Sequence, residues 1–99
     1  MWKKYGRAVR RKPGEMNKLE AEYFERLRNQ VQLGVIAWFS FDAIKLRLAE
    51  KCFYTPDFLV IADSGDIEIH EVKGHWEDDA RVKIKVAAAQ FPFRFKALT

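Results

Sequence analysis

The sequence predicts a small mixed α/β domain, one sheet flanked by two helices, and three observations predict it. An apolar stripe recurs at helical spacing early in the chain. Short β-branched and aromatic runs follow it, separated by turn residues. A second helical segment and a final apolar run close the sequence. The expected order is helix, three or four strands, helix, strand.

Each element has its own signal. Pro13-Gly14 ends a polar arm, and Asn17 stands where a helix N-cap is needed. Leu19, Tyr23, Phe24, Leu27 and Val31 make the stripe of the first helix, and Gly34 supplies its stop. Val35 to Phe41 reads as a strand. Ile44, Leu46 and Leu48 alternate with polar neighbours, the sign of a half-exposed strand. Cys52 to Ala62 is more continuously apolar and reads as one buried strand. Asp63-Ser64-Gly65-Asp66 is a turn, with Ile67 to Val72 as the hairpin partner. After Gly74, Asp78 or Asp79 is expected to cap a second helix running to Gln90. Pro92 then leads into a last strand, Phe93 to Leu98.

With 99 residues the chain has room for one core, so residues 15–99 read as a single folded domain behind a basic arm, residues 1–14. The arm has no apolar run of the signal-peptide kind, and no stretch reaches the length of a membrane helix. The expected location is the cytoplasm, with no membrane partner. The lone Cys52 excludes an internal disulfide and a CxxC metal motif, and its apolar surroundings suit a buried thiol. Charge is unevenly placed. Lys3, Lys4, Arg7, Arg10, Arg11 and Lys12 precede the first acid, Glu15, leaving twelve cations against fourteen acids in the remainder. A basic arm on a slightly acidic body suits a phosphate-rich partner, although a solvated tail has the same composition.

The chemistry concentrates in Tyr54-Thr55-Pro56-Asp57-Phe58 and Glu71-Val72-Lys73-Gly74. Glu71 and Lys73 are two apart on a strand and share a face. Asp57 joins that face if it pairs opposite Glu71. The same register matches Leu59 with Ile69 and Ile61 with Ile67, so the apolar residues favour it and require an odd-length loop. Two converging carboxylates repel, and partial burial disfavours their ionisation. A hard divalent cation relieves both problems, and Mg2+ suits a site with one or two protein carboxylates. Phosphodiester hydrolysis uses such a cation, with the lysine orienting water or offsetting charge on phosphate. A surface Glu/Lys pair beside a turn aspartate is the plain alternative. Glu20 falls within the first helix's apolar stripe. It suits either the edge of a metal site or a capping box with Asn17.

These residues carry a resemblance. Pro56-Asp57 followed by Glu71-Val72-Lys73 resembles the signature of the PD-(D/E)xK nuclease superfamily. Asn17-Lys18-Leu19-Glu20, His70-Glu71-Val72-Lys73-Gly74 and Asp79-Ala80-Arg81-Val82-Lys83 extend the likeness to a small phage-encoded family within it, over roughly residues 15 to 99. The resemblance implies a restriction-endonuclease-like core of order α-β-β-β-α-β. It implies a DNA endonuclease in which Asp57 and Glu71 bind Mg2+, with Mn2+ able to substitute, Lys73 assists the water, and Glu20 supports the site. Branched or otherwise structured DNA, as cut by Holliday-junction resolvases, lies within the range it implies. One subunit of 99 residues covers little DNA, so a homodimer presenting two sites is expected. A phage-encoded protein would work in the host cytoplasm. The other reading left open is an accessory protein that binds nucleic acid without cutting.

Weaker candidates surround the centre. Lys83 and Gln90 share a helix face and could meet phosphate, whereas Arg81 and Lys85 suit a solvated face. His70 alternates away from Glu71 and reads as structural or groove-lining. His75-Trp76 offers an aromatic that could stack on a displaced base, or a loop anchor.

Overall fold

The computed structural model describes residues 14–98. Helix α1, Lys18–Gln32, starts with a capping box. The Asn17 side chain accepts from the Glu20 amide at 2.7 Å, and the Glu20 carboxylate accepts from the Asn17 amide at 2.9 Å. Two of the helix's orphan donors are thereby satisfied. The helix ends where Gly34 turns left-handed at φ +79°. The Gly34 and Val35 amides donate back to the Val31 and Gln30 carbonyls, the paired bonds of a Schellman stop.

The strands are β1 (Ile36–Phe41), β2 (Leu46–Ala49), β3 (Cys52–Tyr54), β4 (Phe58–Ala62) and β5 (Ile67–Val72), followed by α2 (Asp78–Gln90) and β6 (Arg94–Leu98). Four of them form a mixed sheet in the order β1-β4-β5-β6, with β5 and β6 parallel. Strand alternation sends Phe58, Val60 and Val72 to one face, where they pack with Leu27 and Ile36 beneath α1. Ile69 points to the other face and packs with Leu46, Leu48, Tyr54 and Ala87, so the β2–β3 hairpin and α2 cover that side. Burying a side chain such as Phe58 stabilises the fold by about 1.5–3 kcal/mol.

The mixed sheet with two flanking helices agrees with the expectation, but the strand count does not. Among the described residues five strands precede α2, not three or four, and β2 with β3 forms a separate two-stranded sheet. The run Cys52 to Ala62 is two strands, because Thr55-Pro56-Asp57 leaves the ladder between them. Pro56 has no N–H to give a sheet. The N-cap of α2 is Glu77, which makes no side-chain cap bond. Asp78 and Asp79 occupy the first turn, where negative charge complements the helix's positive end. Val31, in the last turn of α1, is an exposed end of the expected stripe.

At the chain's described start, the Gly14 amide donates to Asp42 Oδ2 at 2.9 Å. The Asp42 amide in turn donates to the Asp57 carbonyl at 2.9 Å. The cations of the basic arm, Lys3 to Lys12, lie outside the described residues. Among the described residues no helix is long and apolar enough to cross a membrane.

Candidate active site

The pairing of β4 with β5 sets Phe58 opposite His70, Leu59 opposite Ile69 and Ile61 opposite Ile67. Continued by one residue, that register brings Asp57 beside Glu71, as the apolar matching in the sequence predicts. Between the last paired residues, Ile61 and Ile67, lie residues 62–66, an odd number, with Gly65 at φ +95°.

Backbone and side-chain donors hold both carboxylates. Glu71 Oε1 accepts from the Tyr54 hydroxyl at 2.7 Å and from the Asp57 amide at 3.0 Å. Asp57 Oδ2 accepts from the Val72 amide at 2.9 Å. Lys73 Nζ stands 3.3 Å from Glu71 Oε2, so the lysine projects to the same side. Asp57 and Glu71 are both buried. These bonds follow from local sequence: Pro56 turns the chain out of β3, which frees the Asp57 amide to meet Glu71 across the gap.

The electrostatics are strained. Burial, and then the charge of Glu71, push the Asp57 carboxyl up to about 7, against the pull of the Val72 amide and Lys73. Burial and Glu71 also raise the Tyr54 phenol far above its ordinary range, so it remains a hydrogen-bond donor. Glu20 adds a smaller upward push on Asp57. Its Oε1 is engaged in the cap at Asn17, so the two roles open to it coexist, as cap and as nearby charge. Among the described residues no three His, Cys, Asp or Glu side chains gather as a metal-holding group. The hard-oxygen donors at this point are therefore the Asp57–Glu71 pair, which is within the one or two carboxylates that Mg2+ takes.

The opposite face of β5 carries a second polar cluster that sequence reasoning missed. Tyr23 Oη lies 2.6 Å from His70 Nδ1, and His70 Nε2 lies 2.8 Å from Glu68 Oε1. Lys96 Nζ stands 3.4 Å from the same Glu68 oxygen. Burial keeps His70 below its ordinary pKa, hence neutral near pH 7. Burial also raises Glu68, but the His70 bond and the Lys96 charge outweigh it, and the carboxyl ends below its usual range. The Glu68-x-His70 alternation was the available signal. Lys96 lies too far along the chain to be read with it.

The remaining candidates separate. Gln90 Nε2 donates to the Leu48 carbonyl at 3.0 Å, so it ties α2 to the β2–β3 hairpin. Lys83 is half-buried on α2. His75 is exposed and pairs with Glu77 at 3.5 Å. Two hollows are lined by residues that precede and follow the pair in the sequence. One, of about 450 Å³, is lined by Asp42, Ala43, Ile44, Lys45 and Thr55. The other, of about 410 Å³, is lined by Trp76, Arg81, Ile84, Lys85 and Ala97. No protein-family model, curated protein or solved structure matches the chain.

Proposed function

We propose that the protein is a divalent-cation-dependent DNA endonuclease that hydrolyses phosphodiester bonds at Asp57, Glu71 and Lys73. The observation that carries this reading is the buried pairing of Asp57 with Glu71, 3.3 Å from an ammonium, with Asp57 driven up to about 7. Two buried carboxylates side by side repel one another and are destabilising alone, and a cation between them removes that repulsion. Their hard oxygens suit Mg2+ or Mn2+ better than a thiophilic metal. The mixed sheet with a helix on each face, and acids at the facing ends of β4 and β5, fits a restriction-endonuclease-like core.

Each residue has a distinct task in this reading. Asp57 and Glu71 hold the cation, and the Val72 amide and Tyr54 hydroxyl fix their orientation. When bound, the cation supplies Lewis acidity at a phosphate oxygen and lowers the pKa of a bound water. Lys73 cannot be a ligand while protonated, so it orients the attacking water and offsets charge on the phosphate. Glu20 contributes negative charge from the start of α1. The basic arm and Lys83 supply phosphate contacts.

The test is Mg2+-dependent nicking of a supercoiled plasmid by purified protein, beside the Asp57→Asn variant. Nicking that Asp57→Asn abolishes supports the reading. Salt-sensitive DNA binding with no cutting in Mg2+ or Mn2+ would favour the non-cleaving accessory role instead.

A further inference from the structure

The hollow beside α2 combines three features that belong together on nucleic acid. Trp76 supplies a half-buried aromatic face, Arg81 and Lys85 supply exposed cations one helical turn apart, and Ile84 and Ala97 supply an apolar floor. Its volume of about 410 Å³ lies within the range of small-ligand pockets, about 300–1,000 Å³. Trp76 also lines a second hollow, with His75, Glu77, Asp78 and Asp79. That acidic lining repels a polyanion, so of the two hollows the one with Arg81 and Lys85 is the one that suits phosphate.

The position of this groove matters as much as its lining. Ala97 on β6 is the register partner of Glu71 on β5, so the two side chains stand on the same face one strand apart. Strands in a sheet are roughly 4.8 Å apart, less than the spacing of successive phosphates in an extended single strand. The Lys73 amide is also tied to the Leu98 carbonyl at 3.0 Å, which fixes the strand end that carries both positions. Trp76 follows Lys73 by three residues, on the short connection into α2.

We infer that this groove binds an unpaired nucleotide of a DNA strand, its base stacked on Trp76 and its phosphates on Arg81 and Lys85, next to the phosphate cut at Asp57 and Glu71. The placement beside the cut rests on the proposed nuclease reading; the binding itself does not. A stacking aromatic between cations tolerates any base, whereas a fully paired strand keeps its bases inside the duplex and offers Trp76 none. The substrate class that follows is duplex DNA with a single-stranded segment adjoining it, such as a flap or splayed end.

The experiment compares binding of flap-bearing duplexes, of both polarities, with a fully paired duplex of equal length. Ca2+ replaces Mg2+ to limit cutting. One flap polarity should bind about tenfold tighter than the duplex, within the range of stacking one base on an aromatic side chain. Trp76→Ala should erase that preference while leaving duplex affinity unchanged, and Trp76→Phe should keep most of it. Arg81→Gln with Lys85→Gln, at exposed positions, should flatten the salt slope for the flap by about 1.4, the equivalent of two single-strand phosphates, and leave the duplex slope alone. Equal binding of flap and duplex by the parent protein would overturn the inference. So would Trp76→Ala or the double substitution weakening both substrates equally. Cutting by Asp57→Asn, measured in parallel with Mg2+, reports on the nuclease reading alone, so the two failures are distinguishable.

Discussion

On one face of β5, Glu68 and His70 sit among groups that satisfy them; on the other, Glu71 meets a second buried carboxylate. The two clusters share a strand, a similar depth and the same residue type at their centre. They differ in partners. Glu68 has a neutral histidine and a lysine ammonium, and its carboxyl ends below its ordinary range. Asp57 and Glu71 have backbone amides, a tyrosine hydroxyl and one half-exposed lysine for two acids, and Asp57 is pushed up to about 7. In the first cluster the acid is matched by its partners. In the second, two acids face one ammonium, and under the proposed reading a further positive charge would complete it; that imbalance distinguishes a candidate site from a buried polar network better than the presence of acids does.

The largest expected effect lies in cleavage. Asp57→Asn and Glu71→Gln keep shape but remove ligand charge, and each should lower Mg2+-dependent nicking by at least ~10³. Lys73→Ala should lower it by a similar factor, about 4 kcal/mol of transition-state stabilisation. Glu68→Gln, the same chemical change on the other face, should leave the rate close to that of the parent. Initial rates of plasmid nicking measure all four, and a fast Asp57→Asn protein would remove the distinction between the faces.

The next effect is on stability, and it has opposite signs on the two faces. A carboxyl raised from 3.8 to about 7 retains a proton in the folded state that the unfolded chain has released. Asp57 therefore withdraws stability as pH rises from about 4 to about 7, by up to about 4 kcal/mol without metal. His70 and Glu68, both lowered, act oppositely, and their contributions fade as pH falls. Urea unfolding of metal-free protein at pH 4.5 and 7.5 should show Asp57→Asn gaining on the parent at the higher pH. Adding Mg2+ at pH 7.5 should stabilise the parent and not the variant. A pH-independent difference between the two proteins would contradict the raised Asp57.

Smaller still is the contrast between equivalent substitutions in metal-free protein at neutral pH. Glu68→Gln weakens charge-assisted bonds from His70 and Lys96 and should cost about 1–3 kcal/mol. Glu71→Gln retains the Oε1 acceptor for Tyr54 and the Asp57 amide while removing a repulsion, so it should be neutral or stabilising. Equal destabilisation by the two would show that both clusters are purely structural.

The smallest expected effect concerns residues 1–12. Their removal should weaken binding to all duplex sequences alike and flatten the salt slope by about 0.9 for each phosphate the arm neutralises. An unchanged slope would make the arm a passive tail.

Much of this site was legible because its register is set by apolar residues. Leu59, Ile61, Ile67 and Ile69 permit one pairing, and that pairing carries Asp57 to Glu71. The capping box was legible too, since Asn17 and Glu20 are three apart. The β2–β3 hairpin was hidden because its turn has no glycine. Lys51 takes the left-handed conformation there at φ 58°, and Asp42 does so in the connection before β2. The break at Pro56 was hidden by apolar residues on both sides, which read as one strand. Tyr54 escaped notice because its bond to Glu71 depends on how β3 lies relative to β5, a long-range contact that no local pattern encodes.

The bond from Gly14 to Asp42 is the first of two links in a relay. The Gly14 amide holds the Asp42 carboxylate at 2.9 Å, and the Asp42 amide holds the Asp57 carbonyl at 2.9 Å. The described start of the chain is thereby moored, through Asp42, to the backbone of the residue that carries the raised carboxyl.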